Sequence, residues 1–139
     1  MSQADIEALR VIYEAVSRGD WNAVFLQVHP DFEWKTPDGV PLAGTYRGPE
    51  QVRRFFEDRW QAFEDVTVEP EEFFESGNRI VVFARSRLRP SGTTAVIENR
   101  LGHLWTMREG KAARCEVFSQ GEKALEAAGL SEQDVHADS

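Results

Sequence analysis

Apolar residues near the start of the chain recur at helical spacing. The first helix is predicted over residues 3–18, where Ile6, Leu9, Tyr13 and Val16 recur at intervals of three and four. Gly19 should end this helix, and Asp20 suits the N-cap of a second, short helix. The inner face of that helix consists of Trp21, Val24, Phe25 and Val28. We expect His29-Pro30 to end it, because the residue before a proline avoids helical backbone.

A third helix is predicted from about Pro49 to Phe63, directly after a glycine-containing loop. Gly48 can serve as its N-cap, and Pro49 suits the first helical position, where its missing N–H costs nothing. Glu50 follows in the first turn, where the helix dipole favours negative charge. The stripe predicted to be buried consists of Val52, Phe55, Phe56, Trp60 and Phe63.

Alternating apolar and polar residues predict strands in the rest of the chain. A short strand covers 32–36 and precedes turn residues 37–39; longer strands cover roughly 66–75, 79–89, 94–107 and 111–119. A short helix over 122–128 should end at Gly129, and an acidic tail follows from Ser131. Helices followed by a meander of strands indicate an α+β domain, with helices on one face of an antiparallel sheet.

Length and charge limit the classes of protein that fit. The chain of 139 residues suits one domain over residues 1–130, followed by a tail over 131–139. A net charge of −8 argues against nucleic-acid or anionic-membrane partners, which select a basic surface. The sequence has neither a long apolar run nor a signal-peptide pattern, and its single cysteine cannot form an internal disulfide. We therefore expect a reduced, cytoplasmic protein.

Five short segments, in this order and spacing, carry a family resemblance. They are 18–20 (RGD), 29–31 (HPD), 44–56 (the loop into the third helix), 109–111 (EGK) and 122–130 (the last helix). The chain resembles the SnoaL-like group, related to ketosteroid isomerases, of the nuclear transport factor two-like superfamily. The resemblance implies a curved antiparallel sheet that forms a cone, closed by the N-terminal helices, with a pocket inside.

Two residues are candidates for chemistry in that pocket. Strand alternation places His103 mid-strand on the inner face, and histidine can act as an acid or a base near neutral pH. A hydrogen-bonded core histidine explains the pattern equally well. Tyr13 lies on the buried stripe of the first helix, where its hydroxyl needs a partner or a ligand.

The predicted binding residues are mainly apolar. An aromatic lining of Trp34, Trp60, Trp105 and Phe63 suits a flat, hydrophobic molecule, although core packing explains each residue taken singly. The remaining predicted substrate-binding residues are Thr36, Ser86, Leu88 and Val117.

The acids that related enzymes use are missing from the matching positions. The resemblance to ketosteroid isomerases places their aspartate base at the position of Thr36. It places their protonated acid near His103. The positions resembling the catalytic residues of limonene epoxide hydrolases are Ala84, Ser86 and Val117. No aspartate occurs between Asp65 and Asp134. SnoaL-type polyketide cyclases need one general acid or base, which His103 could supply with help from Tyr13 or Ser86.

Several functions therefore remain open. One is a cofactor-independent cyclase or isomerase that uses His103; another is a non-catalytic protein that binds a small hydrophobic molecule. A third is a dimerisation domain, with a homodimer formed through the outer sheet face, where Arg87 or Arg100 could meet Glu98 across a two-fold axis. Metal-binding and nucleotide-binding motifs are absent from the sequence, which predicts no cofactor.

Overall fold

The computed structural model describes residues 3–36 and 44–131 of the chain. Its elements are α1 (Gln3–Arg18), α2 (Trp21–Leu26), β1 (Val28–Lys35), β2 (Thr45–Arg47), α3 (Pro49–Trp60), β3 (Phe63–Ser76), β4 (Arg79–Pro90), β5 (Ile97–Arg108), β6 (Lys111–Phe118) and α4 (Gly121–Ala128). No helix within the described ranges is long and apolar enough to cross a bilayer.

The six strands form one curved sheet in the order β2-β1-β6-β5-β4-β3, which confirms the predicted α+β fold. Neighbouring strands are antiparallel except β1 and β6, which run parallel. The expectation of a wholly antiparallel sheet is therefore wrong at this one pair. Parallel neighbours need a long connection, and α3 with the three strands that follow it supplies one here. Register shifts in β3 and β6 add bulges, which increase the local bend of the strands.

The main core lies between the sheet and the first three helices. Its buried members include Leu9 and Ile12 of α1, Val24 of α2, Val52 of α3 and Ile80 of β4. A smaller core lies on the opposite face of the sheet, beneath α4; its members are Phe74, Val81, Leu104, Ala124 and Leu125. Helix α4 ends as predicted at Gly129, whose φ of 75° places it in the left-handed region that favours glycine.

Two predicted element boundaries are wrong. Helix α2 ends at Leu26, so His29 and Pro30 lie inside β1 and do not end the helix. The extended backbone that proline imposes on its predecessor suits a strand equally well, and a register shift between Val28 and Glu33 accommodates the proline. Helix α3 ends at Trp60, and Phe63 instead begins β3, where it pairs with Pro90.

The other boundaries agree to within a few residues. Strand β5 begins at Ile97, three residues later than predicted, and β3 begins three residues earlier. The hairpin turns after Ser76, Pro90 and Arg108 lie where the sequence places them. The turn predicted at 37–39 and the tail beyond Ser131 fall outside the described residues.

Charged residues on the outer face of the sheet pair within the chain. Arg87 Nε lies 3.2 Å from a carboxylate oxygen of Glu98, the residue opposite it on β5. Arg85 approaches Glu71 to 2.8 Å, and Arg100 lies 3.8 Å from the same carboxylate group. The charges expected to meet across a two-fold axis thus already have partners in their own chain, and the homodimer stays a prediction.

Candidate functional site

A cavity of about 410 Å³ lies between the concave face of the sheet and helices α1–α3. Its size falls within the range of small-molecule binding pockets. The aromatic part of its lining consists of Tyr13, Phe32, Trp34, Phe55, Phe56, Trp60, Phe63 and Trp105. The polar residues that contribute to the lining are Thr36, Arg59, Ser86, Asn99, Arg100, His103 and Ser119. Most of the remaining surface is aliphatic.

All ten residues predicted from the sequence as site residues line this one cavity. They are Tyr13, Trp34, Thr36, Trp60, Phe63, Ser86, Leu88, His103, Trp105 and Val117. Phe63 reaches the cavity although it belongs to β3 and not to α3, because it follows the helix end directly. The structure thus brings the residues together, and their catalytic or binding roles stay predictions.

Two buried hydrogen bonds connect α1 to β5 at the inner end of the site. The indole Nε1 of Trp105 donates to the hydroxyl oxygen of Tyr13 over 3.0 Å. The same hydroxyl lies 2.6 Å from Nδ1 of His103. Residues 103 and 105 lie two apart on β5, so both side chains point to the same face of the sheet and reach Tyr13 together.

The direction of the second hydrogen bond follows from the first. An indole N–H can only donate, so the Tyr13 oxygen accepts from Trp105 and keeps its own proton to give away. His103 Nδ1 is the acceptor that the described residues offer this buried hydroxyl. We therefore assign the Tyr13 O–H as donor and Nδ1 as acceptor, which leaves the proton of a neutral imidazole on Nε2.

Burial keeps both titrating groups neutral at pH 7. It lowers the pKa of His103 from its ordinary value of 6.5 to about 4. Burial also raises the pKa of the Tyr13 hydroxyl well above its ordinary value of 10; the nearby Cys115 adds to this effect, and the hydrogen bond from Trp105 opposes it. The hydroxyl thus keeps its proton and the imidazole lacks a second one, as the assigned hydrogen bonds require.

The second ring nitrogen of His103 is one of the polar atoms that the described part of the site leaves available. His103 Nε2 makes no hydrogen bond to any residue in the described part of the chain. His103 is 5% exposed and lines the cavity, so a molecule held there can accept a hydrogen bond from Nε2–H. In this form His103 is a hydrogen-bond donor and not a base, because its other nitrogen is already occupied by Tyr13.

The other polar residues predicted for the site differ in what they can do. The hydroxyl of Thr36 is engaged by the backbone, since it accepts a hydrogen bond from the N–H of Gly44 over 2.9 Å. This hydrogen bond helps join β1 to the segment that leads into β2. Ser86 is buried on β4 beside the cavity. The indole nitrogens of Trp34 and Trp60 are buried without a hydrogen-bond partner among the described residues.

Arg59 is a cavity residue that sequence reasoning missed. It lies on α3 one turn after Phe55 and Phe56, on the stripe that faces the cavity. The signal was present in the sequence: a cation interrupts an otherwise apolar stripe at the position before Trp60. Exposed arginines are common near helix ends, however, and the stripe alone does not separate this one from the others.

Comparisons with known proteins agree with this fold. The SnoaL-like domain family matches residues 9–115. An uncharacterized protein of Mycobacterium tuberculosis is 29% identical over 123 residues, covering 88% of this chain and 94% of its own. The crystal structure of TerC co-crystallized with polyporic acid has a TM-score of 0.77 and 29% identity, covering 92% of this chain and 98% of that one. An NTF2-like protein of unknown function from Burkholderia pseudomallei has the same TM-score and identity, covering 95% and 99%.

The curved sheet, its three covering helices and the cavity between them define the cone-shaped α+β class to which these structures belong. Since the family matches well over half of the chain, the protein belongs to the SnoaL-like domain family.

The lowered pKa of His103 predicts a specific dependence of stability on pH. Between about pH 6.5 and 4 the unfolded chain binds a proton at His103 and the folded chain does not, so folding is favoured less as the pH falls. His103→Asn removes this effect while its amide oxygen can still accept from Tyr13. Urea unfolding measures the difference in the free energy of unfolding between wild type and His103→Asn. We expect the destabilisation of the variant to shrink by roughly 3 kcal/mol between pH 7 and pH 4. A difference that does not change with pH would contradict the assignment.

Proposed function

We propose that the protein binds a small, flat and mainly apolar molecule in the cavity, and that His103 donates a hydrogen bond to an oxygen on it. The observation that carries this proposal is the Nε2 of a neutral, buried histidine, unbonded among the described residues, in a mainly apolar lining. A hydrogen bond is stronger in a cavity of low dielectric than in water, so a ligand oxygen that accepts from Nε2–H gains affinity.

The shape and chemistry of the walls support the choice of ligand. Aromatic rings from the sheet and from the helices line the cavity; those of Trp34 and Phe56, for example, pack edge to face with centroids 4.7 Å apart. Such walls offer broad apolar contact, which favours planar carbon skeletons over sugars or phosphates. The co-crystallisation of TerC with polyporic acid supports a small-molecule ligand in this group of proteins.

Two compounds of nearly identical shape test the hydrogen bond to His103. 2-Acetylnaphthalene carries a carbonyl oxygen where 2-isopropenylnaphthalene carries a methylene group. We expect wild type to bind the ketone about fivefold more tightly than the alkene, the worth of one neutral hydrogen bond. In His103→Asn this preference should disappear, because the side-chain amide is shorter than the imidazole ring and does not reach the position of Nε2. The affinity for the alkene should stay within about twofold of wild type. Titration followed by NMR measures all four affinities.

Two results would contradict the proposal. One is the absence of saturable binding of both compounds to wild type, which would leave the cavity without a small-molecule role. The other is the same ratio of ketone to alkene affinity in wild type and in His103→Asn, which would place the ligand oxygen elsewhere.

A second candidate function is catalysis in which His103 acts as an electrophile. A neutral N–H donor aimed at a carbonyl stabilises the negative charge that develops on its oxygen during enolisation or aldol ring closure. The hydrogen bonds from Trp105 through Tyr13 to His103 favour this idea, because they hold the donor in place before reaction. Within the described residues, however, no carboxylate lines the cavity to act as the base.

Hydrogen exchange at the methyl group of 2-acetylnaphthalene separates binding from catalysis. In D2O, an electrophilic His103 should accelerate deuteration of the methyl group, because enolisation is the step that exchanges its protons. Proton NMR would then show faster loss of the methyl signal with wild type than with His103→Asn, at concentrations where both proteins are saturated. Equal rates, both matching buffer alone, would limit the protein to binding.

A further inference from the structure

The cavity lining has a charge balance unlike that of the whole chain. The protein has 24 acidic and 16 basic residues, giving a net charge of −8. Among the described residues that line the cavity, however, there is no aspartate or glutamate, and there are two arginines, Arg59 and Arg100. The cavity of an acidic protein is therefore bordered only by positive formal charge in the described part of the chain.

The guanidinium group of Arg100 does not account for this balance. Residue 100 lies three positions before His103 on β5, so strand alternation directs its side chain to the outer face. Its Nε lies 3.8 Å from Glu71, which is also the partner of Arg85 on that face. Arg100 thus borders the cavity where the strand passes it, while its charge lies on the other side of the sheet.

Arg59 differs from Arg53, on the same helix, in having no ion-pair partner among the described residues. Arg53 on the same helix pairs with Glu57 at 3.1 Å and with Asn22 at 2.8 Å. The side chain of Arg59 makes no hydrogen bond or ion pair with any residue that the structure describes, and Arg59 is exposed while also lining the cavity. It therefore stands where the apolar cavity meets solvent, with its donors unoccupied.

We propose that Arg59 binds an acidic group of the ligand, so that the ligand is an apolar, aromatic-type acid held with its anionic end outward. This inference rests on the proposed function and specifies its ligand class. A guanidinium group offers paired donors that match a carboxylate or a similar anion. The anion stays near water, where its desolvation costs least, and the apolar body extends inward towards His103.

A pair of fluorescent probes that differ by one anionic group tests this proposal. N-phenyl-1-naphthylamine is neutral, and 8-anilinonaphthalene-1-sulfonate has the same rings with a sulfonate added. In Arg59→Gln we expect the affinity for the sulfonate probe to fall about tenfold, with the affinity for the neutral probe unchanged within about twofold. Arg59→Lys should restore part of the loss, because it keeps the positive charge.

Arg54→Gln is the matched control. Arg54 lies on the same helix, is exposed, does not line the cavity, and gives the same change in net charge when replaced. We expect this variant to bind both probes as wild type does. An equal loss of sulfonate affinity in Arg54→Gln and Arg59→Gln would mean that overall charge, and not a site at Arg59, controls binding.

The outcomes separate this inference from the function on which it rests. If the neutral probe binds to wild type and Arg59→Gln leaves the ratio of the two affinities unchanged, the inference about the acid group is wrong and the apolar cavity remains. If neither probe binds to wild type with saturation, the proposed function itself fails, and the assignment of Arg59 fails with it.

Discussion

The paired hydrogen bonds from Trp105 through Tyr13 to His103 are the interaction on which this site depends. They join the first helix to a central strand across the concave face of the sheet. Each bond contributes only about 1 kcal/mol net, but the loss of one partner leaves a buried polar group unsatisfied at a larger cost. The same two bonds determine which ring nitrogen of His103 carries the proton. The same pair of hydrogen bonds therefore both holds α1 against β5 and sets the protonation of the imidazole.

This arrangement gives a site whose described lining contains no acidic side chain. Thr36 stands where the resemblance to ketosteroid isomerases implies a base, and its hydroxyl accepts a hydrogen bond from the backbone N–H of Gly44. The cavity has a neutral donor at His103, with aromatic walls around it. A site of this kind recognises an oxygen atom and a flat skeleton. Proton abstraction would have to come from the ligand itself or from solvent, which is why binding is the leading proposal.

Much of the site could be predicted because the period of a strand is simple. Once His103 was assigned to the inner face of its strand, alternation also placed Trp105 there, and the same reasoning on β4 gave Ser86 and Leu88. Helical spacing gave Tyr13. What the pattern could not show was the contact among Tyr13, His103 and Trp105. Tyr13 lies 90 positions before His103 and 92 before Trp105, and only the packing of α1 against the sheet brings it to them.

The errors also have physical causes. Pro30 was read as ending a helix, but extended backbone before a proline is compatible with a strand, and the register shift in β1 accommodates it. Arg59 was overlooked because charge and exposure at a helix end are ordinary, and only the position of the cavity makes this arginine unusual. The parallel pairing of β1 with β6 depends on contacts between distant segments, which local patterns do not encode.

The protonation of the His103 ring at pH 7 is the most direct test of this account. Long-range proton–nitrogen NMR of the imidazole, assigned with His103→Asn as the reference, distinguishes a protonated from an unprotonated ring nitrogen. The account predicts a neutral ring with the proton on Nε2 and Nδ1 unprotonated, since Nδ1 accepts from Tyr13. A proton on Nδ1, or on both nitrogens at pH 7, would contradict it.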